Sequence, residues 1–126
     1  MFSVEDVRPG THITALGTDG HGKQELDPLL FAKASLIATD DHAQCVRNSE
    51  FGIALRLGLV KEDQDVALGT LLAANFARGH DDITLADLTG IAAQDVAIAS
   101  YFLERLDQPL KAQPMSPASL DFSHEL

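Results

Sequence analysis

The strongest constraint on the fold is an alternation of short, β-branched apolar stretches with amphipathic ones. Residues Thr11–Gly17 (THITALG) lie between Pro9-Gly10 and the glycine-rich run Gly17-Thr18-Asp19-Gly20-His21-Gly22, and read as a buried strand running into a loop. Glu25–Ala34 then carries Leu26, Leu29, Leu30 and Ala34 at helical spacing, with Asp27-Pro28 suited to a helix start. Ser35–Asp40 (SLIATD) is a second brief apolar stretch. A strand, a short helix and a strand in that order predict a parallel sheet, because parallel neighbours need a crossover between them. The fold class is therefore α/β.

Further along, Val46, Ile53, Ala54 and Leu57 fit a helix over His42–Leu57, interrupted near Asn48-Ser49 and stopped by Gly58. Val66–Phe76 reads as another amphipathic helix, Arg78–Asp81 as a turn and Asp82–Asp87 as a strand. Ile91–Leu106 is apolar on nearly every side, so a helix there needs cover that a subunit interface can supply. The tail from Pro109 to Leu126, with Pro114, Pro117 and scattered serines, reads as a loosely attached terminus.

Composition removes several function classes. With 126 residues at 45% hydrophobic content the chain can bury a core without metal or disulfide staples. Nineteen acidic residues against nine basic ones leave no Lys/Arg cluster to neutralise phosphates, which argues against nucleic acid. Every apolar stretch is broken by a charge before reaching the roughly 20 residues of a membrane span, and there is no signal-like leader. A soluble, cytoplasmic protein is the expectation. Cys45 is the only cysteine, which excludes an intrachain disulfide. The histidines at 12, 21, 42, 80 and 124 show no HxxxH or HExxH spacing, so no metal site is expected.

Three segments, RPGTHITALGTDGHGKQEL (8–26), ATDDHAQCVRNSE (38–50) and DDITLADLTGIAAQDVAIA (81–99), together resemble the ornithine cyclodeaminase/mu-crystallin family in order and spacing. The resemblance spans roughly Phe2 to Leu106, and the GTDGHGKQEL loop with the later DLTGIAAQD is its most specific part. It implies a partial Rossmann-like three-layer fold with parallel strands and a long C-terminal helix. By the same resemblance, residues 1–90 would be the later part of a dinucleotide-binding domain, 91–108 a helix returning to a dimerisation domain, and 109–126 an irregular tail. The family uses NAD(H) or NADP(H), acts on small amino acids or imines and forms homodimers. Its glycine-rich phosphate turn, GxGxxG, occurs nowhere in this sequence. The expectation is accordingly a chain that needs a missing N-terminal half for tight cofactor binding and turnover.

The candidate site residues follow. Asp19 matches the family's catalytic aspartate by its place in GTDGHGK, with proton transfer at the substrate carbon as the implied role; the alternative is an aspartate that simply stabilises a glycine-rich turn. Thr89, Gly90 and Ile91 match the stretch that lines cofactor and substrate, where glycine permits close backbone approach; they also fit an ordinary strand-to-helix turn. Asp95 suits a helix first turn on dipole grounds alone. Lys23 and Glu25 could orient Asp19 or simply be solvated, His21 reads as a solvated loop residue, and Cys45 reads as buried and inert.

The implied activity is NAD(P)-dependent deamination or reduction of an amino acid or cyclic imine, with ornithine to proline plus ammonia as the type reaction. The competing reading is a truncated, non-catalytic remnant that dimerises through Ile91–Leu106 or binds a small ligand without turnover.

Overall fold

Four short strands, all parallel, form the sheet: β1 (His12–Ala15), β2 (Leu36–Thr39), β3 (Asp65–Ala67) and β4 (Thr84–Asp87). The spatial order is β1-β4-β2-β3. The computed structural model describes residues 2–16, 23–74 and 76–106. These divide into two compact units, Met1–Gln94 and Asp95–Leu126; the sheet belongs to the first.

The parallel α/β arrangement read from the sequence is thus the one found, and register shows why β4 organises it. Thr84 stands opposite both His12 and Leu36, and Asp87 opposite both Ala15 and Thr39. All four β4 residues are buried, as expected for a strand flanked on both edges and covered on both faces. Its two polar members therefore need internal partners. The Thr84 hydroxyl finds His12 Nδ1 at 2.8 Å, and Asp87 finds Ser49 and Phe51, described below.

Helix α1 covers Leu29–Lys33, shorter than the periodicity over Glu25–Ala34 implies. The reason is competition for backbone donors. Glu50 Oε1 accepts the N–H groups of Glu25 (2.5 Å) and Leu26 (3.3 Å), and Leu26 makes a parallel bridge with Phe2. That segment is committed before a helix can start, and α1 begins only where Asp27 Oδ1 accepts the Leu29 N–H at 3.0 Å.

The interruption expected near Asn48-Ser49 is present. Helix α2 (His42–Asn48) and helix α3 (Glu50–Arg56) meet at Ser49, whose backbone is extended at φ −119°. Asp41 caps α2 by accepting the Gln44 N–H at 2.7 Å. The core gathers Leu30 and Phe31 of α1, Ile37 of β2, Cys45 of α2, Phe51 and Ala54 of α3 and Leu85 of β4. Phe31 and Phe51 meet as tilted rings 6.4 Å apart.

The segment 66–76 differs from a single helix. Asp65–Ala67 is strand, pairing with Ile37–Thr39, and only Leu68–Ala73 is helical (α4). Three residues are too few for alternation to register against the helical pattern of their successors. Helix α5 (Ala92–Leu103) lies within the predicted Ile91–Leu106, with no buried residue.

Candidate functional site at the carboxyl ends of β1, β4 and β2

In parallel α/β sheets, ligands bind beyond the carboxyl ends of the strands. Here three neighbouring strands end together. β1 and β4 leave the sheet side by side, the Leu88 N–H donating to the Ala15 carbonyl at 3.0 Å. The loop 17–22, which holds Asp19 and His21, lies outside the described residues, but its root at Ala15-Leu16 emerges beside the β4 loop. Thr89, Gly90 and Ile91 form that β4 loop, ahead of α5.

One side chain holds the loop. Asp40, directly after β2, accepts the Thr89 N–H at both carboxylate oxygens (3.1 and 3.0 Å), the Thr89 hydroxyl at Oδ1 (3.0 Å) and the Gly90 N–H at Oδ2 (2.8 Å). From α2, Gln44 Nε2 donates to the Gly90 carbonyl at 3.2 Å. Partial burial works to raise the Asp40 pKa, but the bonds from Thr89, Gly90 and Asp41 outweigh it and hold the carboxyl below its ordinary value. Asp40 is thus a stable anion.

Gly90 sits at φ +79°, and among the described residues other than Gly90 and its chain neighbours no atom lies within 4 Å of where a Cβ would stand. Glycine is required there by its backbone, and the space beside it lets a flat ligand approach the main chain.

Beneath this edge lies a buried polar layer. Asp87 Oδ2 is 2.5 Å from the Ser49 hydroxyl and accepts the Phe51 N–H at 2.6 Å. Burial raises the Asp87 pKa against the lowering effect of those two bonds, and the Asp40 charge adds to the rise. The Ser49 hydroxyl has two acceptors in reach, Asp87 Oδ2 and the Cys45 carbonyl at 2.9 Å. Glu50 is raised by burial against the opposing Glu25 and Leu26 amides. Cys45 is fully buried, and desolvation with the charges of Asp87 and Asp40 pushes its thiol up to about 12. It is the buried core cysteine expected from the sequence.

A second cluster lies at the other side of β2. Asp65 accepts the Thr39 hydroxyl at 2.6 Å and pairs with His42 Nδ1 at 2.8 Å, on an open cleft that Glu62 and Asp63 also line. Its acidic rim disfavours phosphate.

Asp40 and Gln44 were not among the residues singled out from sequence. The pair Asp40-Asp41 before a helix signals a cap, which Asp41 supplies, but nothing local marks Asp40 as the partner of residues 49 and 50 positions later.

Comparison with known proteins places this architecture. Iminosuccinate reductase from Paracoccus denitrificans (strain Pd 1222) is 45% identical over 105 residues, covering 82% of this chain and 32% of the relative. Its crystal structure in complex with NAD+ superposes with a TM-score of 0.74 at 44% identity, covering 81% of this chain and 32% of that one. An alanine dehydrogenase from Archaeoglobus fulgidus is 39% identical over 107 residues, covering 82% of this chain and 33% of the relative. A Thermococcus litoralis Δ1-pyrroline-2-carboxylate reductase, solved with NADH and L-proline, matches at TM-score 0.73 and 25% identity, over 82% of this chain and 33% of that one. The chain thus spans about a third of the length of the curated relatives it matches. Among the described residues no helix is long and apolar enough to cross a membrane. The model of the ornithine cyclodeaminase/mu-crystallin family matches residues 1–109, and the chain belongs to that family.

Proposed function

We propose that this segment serves an NAD(H)- or NADP(H)-dependent enzyme acting on an amino acid or imine, and supplies the substrate-facing edge of its active site. Oxidative deamination or imine reduction is the reaction class, with ornithine to proline plus ammonia as the family's type reaction. The observation that carries the reading is the convergence of the Asp19 loop root and Thr89-Gly90-Ile91 at one sheet edge, in a chain whose relatives are structures holding NAD+, or NADH and L-proline.

The nicotinamide, when bound, exchanges hydride with the substrate carbon. Asp19, four positions beyond Ala15, is assigned the protons that enter or leave the substrate as amine and imine interconvert. Thr89, Gly90 and Ile91 are assigned to the wall against which cofactor and substrate pack, Gly90 supplying close approach. Residues 1–90 serve as the later part of the dinucleotide-binding domain and 91–108 as the helix leading to a dimer contact. Without GxGxxG in the sequence there is no glycine turn to receive a pyrophosphate, so these residues alone bind NAD(H) weakly and do not turn over.

The test compares the 126-residue chain with the polypeptide purified from its native source. NADH oxidation is followed with 2-oxo acids plus ammonia and with cyclic imines, and NAD+ reduction with L-alanine, L-proline and L-ornithine; proline and ammonia are assayed directly with ornithine. The expected result is turnover by the native polypeptide, none by the isolated chain, and a loss of roughly 100-fold or more in Asp19→Asn with NADH binding retained. A native polypeptide that binds neither NADH nor NADPH and turns over none of these substrates would favour a non-catalytic remnant instead.

A further inference from the structure

The amides that open the β4 loop are already spent. Loop amides at the end of a parallel strand commonly serve to hold phosphate. Here the N–H groups of both Thr89 and Gly90 point to Asp40, at 3.0 and 2.8 Å from Oδ2, and the Thr89 hydroxyl proton goes to Oδ1 at 3.0 Å. What the first two loop residues keep for a ligand is the Thr89 carbonyl, the lone pairs of the Thr89 hydroxyl and the second lone pair of the Gly90 carbonyl, whose first takes the Gln44 side-chain N–H. Those are acceptors, and a carboxylate stands directly behind them.

We propose that Asp40 is a positioning residue for the Thr89-Gly90-Ile91 loop, and that it makes the loop an acceptor surface for an N–H donor group while turning phosphate away. The assignment rests on the ligand-facing role given to this loop above. Two groups share the required chemistry: an uncharged carboxamide, as on nicotinamide, and an ammonium, as on an amino-acid substrate. A phosphate meets neither a free donor at residues 89 and 90 nor a favourable charge. Gln44 completes the clamp by donating to the Gly90 carbonyl from α2, so the loop is gripped at a donor and an acceptor of the same residue. Among the described residues the Cβ side of Gly90 is open, which leaves this backbone approachable by the donor group.

The test uses the full 126-residue chain, labelled for NMR, with Asp40→Asn as the near-isosteric variant. Asparagine offers one carbonyl oxygen and turns an NH2 group toward amides that need acceptors. Hydrogen exchange at Thr89 and Gly90 should accelerate at least about tenfold in D40N, the scale for lost bonds to a charged acceptor, while Phe51 and Leu26 amides keep their protection. Titration with inorganic phosphate should leave residues 89–91 unshifted in the unsubstituted chain and shift them in D40N. Nicotinamide and L-ornithine, titrated separately, tell carboxamide from ammonium; a shift of Thr89 or Gly90 with either supports the proposal, and silence with both overturns it. Unchanged exchange in D40N, or phosphate shifts at Thr89 and Gly90 in the unsubstituted chain, also overturns it. The exchange and phosphate measurements involve no turnover, so they fail or succeed independently of the enzymatic reading. If D40N does not fold, the phosphate titration of the unsubstituted chain still decides.

Discussion

The Phe51 backbone N–H donates to Asp87 Oδ2 across 2.6 Å, tying the first turn of α3 to the last residue of the central strand. Ser49 Oγ shares the same oxygen at 2.5 Å, so the break between α2 and α3 is held by one buried carboxyl. Asp87→Ala should cost about 3 kcal/mol, because it strands the buried Phe51 amide, empties space in the core and leaves the Ser49 hydroxyl with the Cys45 carbonyl alone. Urea denaturation of the variant checks the figure.

The same carboxyl sets a pH signature. Its pKa is raised on folding, so its stabilising contribution is complete below the ordinary carboxylate value. That contribution is lost as pH climbs from there through the raised folded value. Asp87→Asn should flatten this decline, seen as a smaller drop in Tm between pH 4 and pH 7 than in the unsubstituted chain. Glu50, also raised, retains its own share of the slope.

Asp40 works with the opposite sign. Its folded pKa lies below the ordinary value, so its contribution is present above that value and disappears as pH falls through the depressed one. Asp40→Asn should therefore be less stable than the unsubstituted chain at pH 7, with the difference closing on acidification. Thermal melts across the same pH series would show a constant gap if the reasoning were wrong.

Gly52 faces the preceding helix so closely that a Cβ there would press on the Val46 carbonyl and stand 2.7 Å from the Cys45 carbonyl oxygen. Gly52→Ala should lower stability by roughly 2 to 3 kcal/mol, as overpacking in a tight core does. A change of a few tenths in chemical denaturation would mean that α2 and α3 can move apart freely.

Cys45 should resist alkylation. With its side chain buried and its thiol pushed up to about 12, iodoacetamide at pH 8 should leave the native chain unmodified and label it fully in urea. Labelling read by intact mass at the same rate in both states would contradict the assignment.

Helix α5 exposes Val96, Ile98, Tyr101, Phe102 and Leu103, each more than half accessible. At roughly 25 cal/mol per Å² such apolar surface favours association. Light scattering should show self-association at micromolar concentration, abolished by Ile98→Lys with Phe102→Lys. A monomer before substitution would remove the case for a dimer contact here.

The sequence was most readable where punctuation and branching coincide. Pro9-Gly10 before Thr11–Gly17, and the polar flanks of Ser35–Asp40 and Asp82–Asp87, mark β1, β2 and β4 within a few residues of their observed ends. Strand β3 escaped because Asp65-Val66-Ala67 is shorter than one alternation cycle needs to stand out. The loop residues Thr89-Gly90 could be found through the DLTGIAAQD resemblance, but their anchor could not. Asp40 looks like a capping residue in its own neighbourhood, and its role exists only once β2 and β4 lie side by side. The late start of α1 has the same origin, since Glu50 claims its would-be first amides from 24 and 25 positions away.

The placement of β4 also governs the order in which the sheet can be assembled. β1 pairs with β4 alone, and His12 meets Thr84 across an interval of 72 residues. During synthesis β2 and β3 can join as soon as residue 67 has emerged, while β1 waits until β4 slots between it and β2. The keystone of these four strands is therefore the last of the four to leave the ribosome. A nascent chain halted before residue 84 would carry β1 without its β4 partner, a natural client for a chaperone.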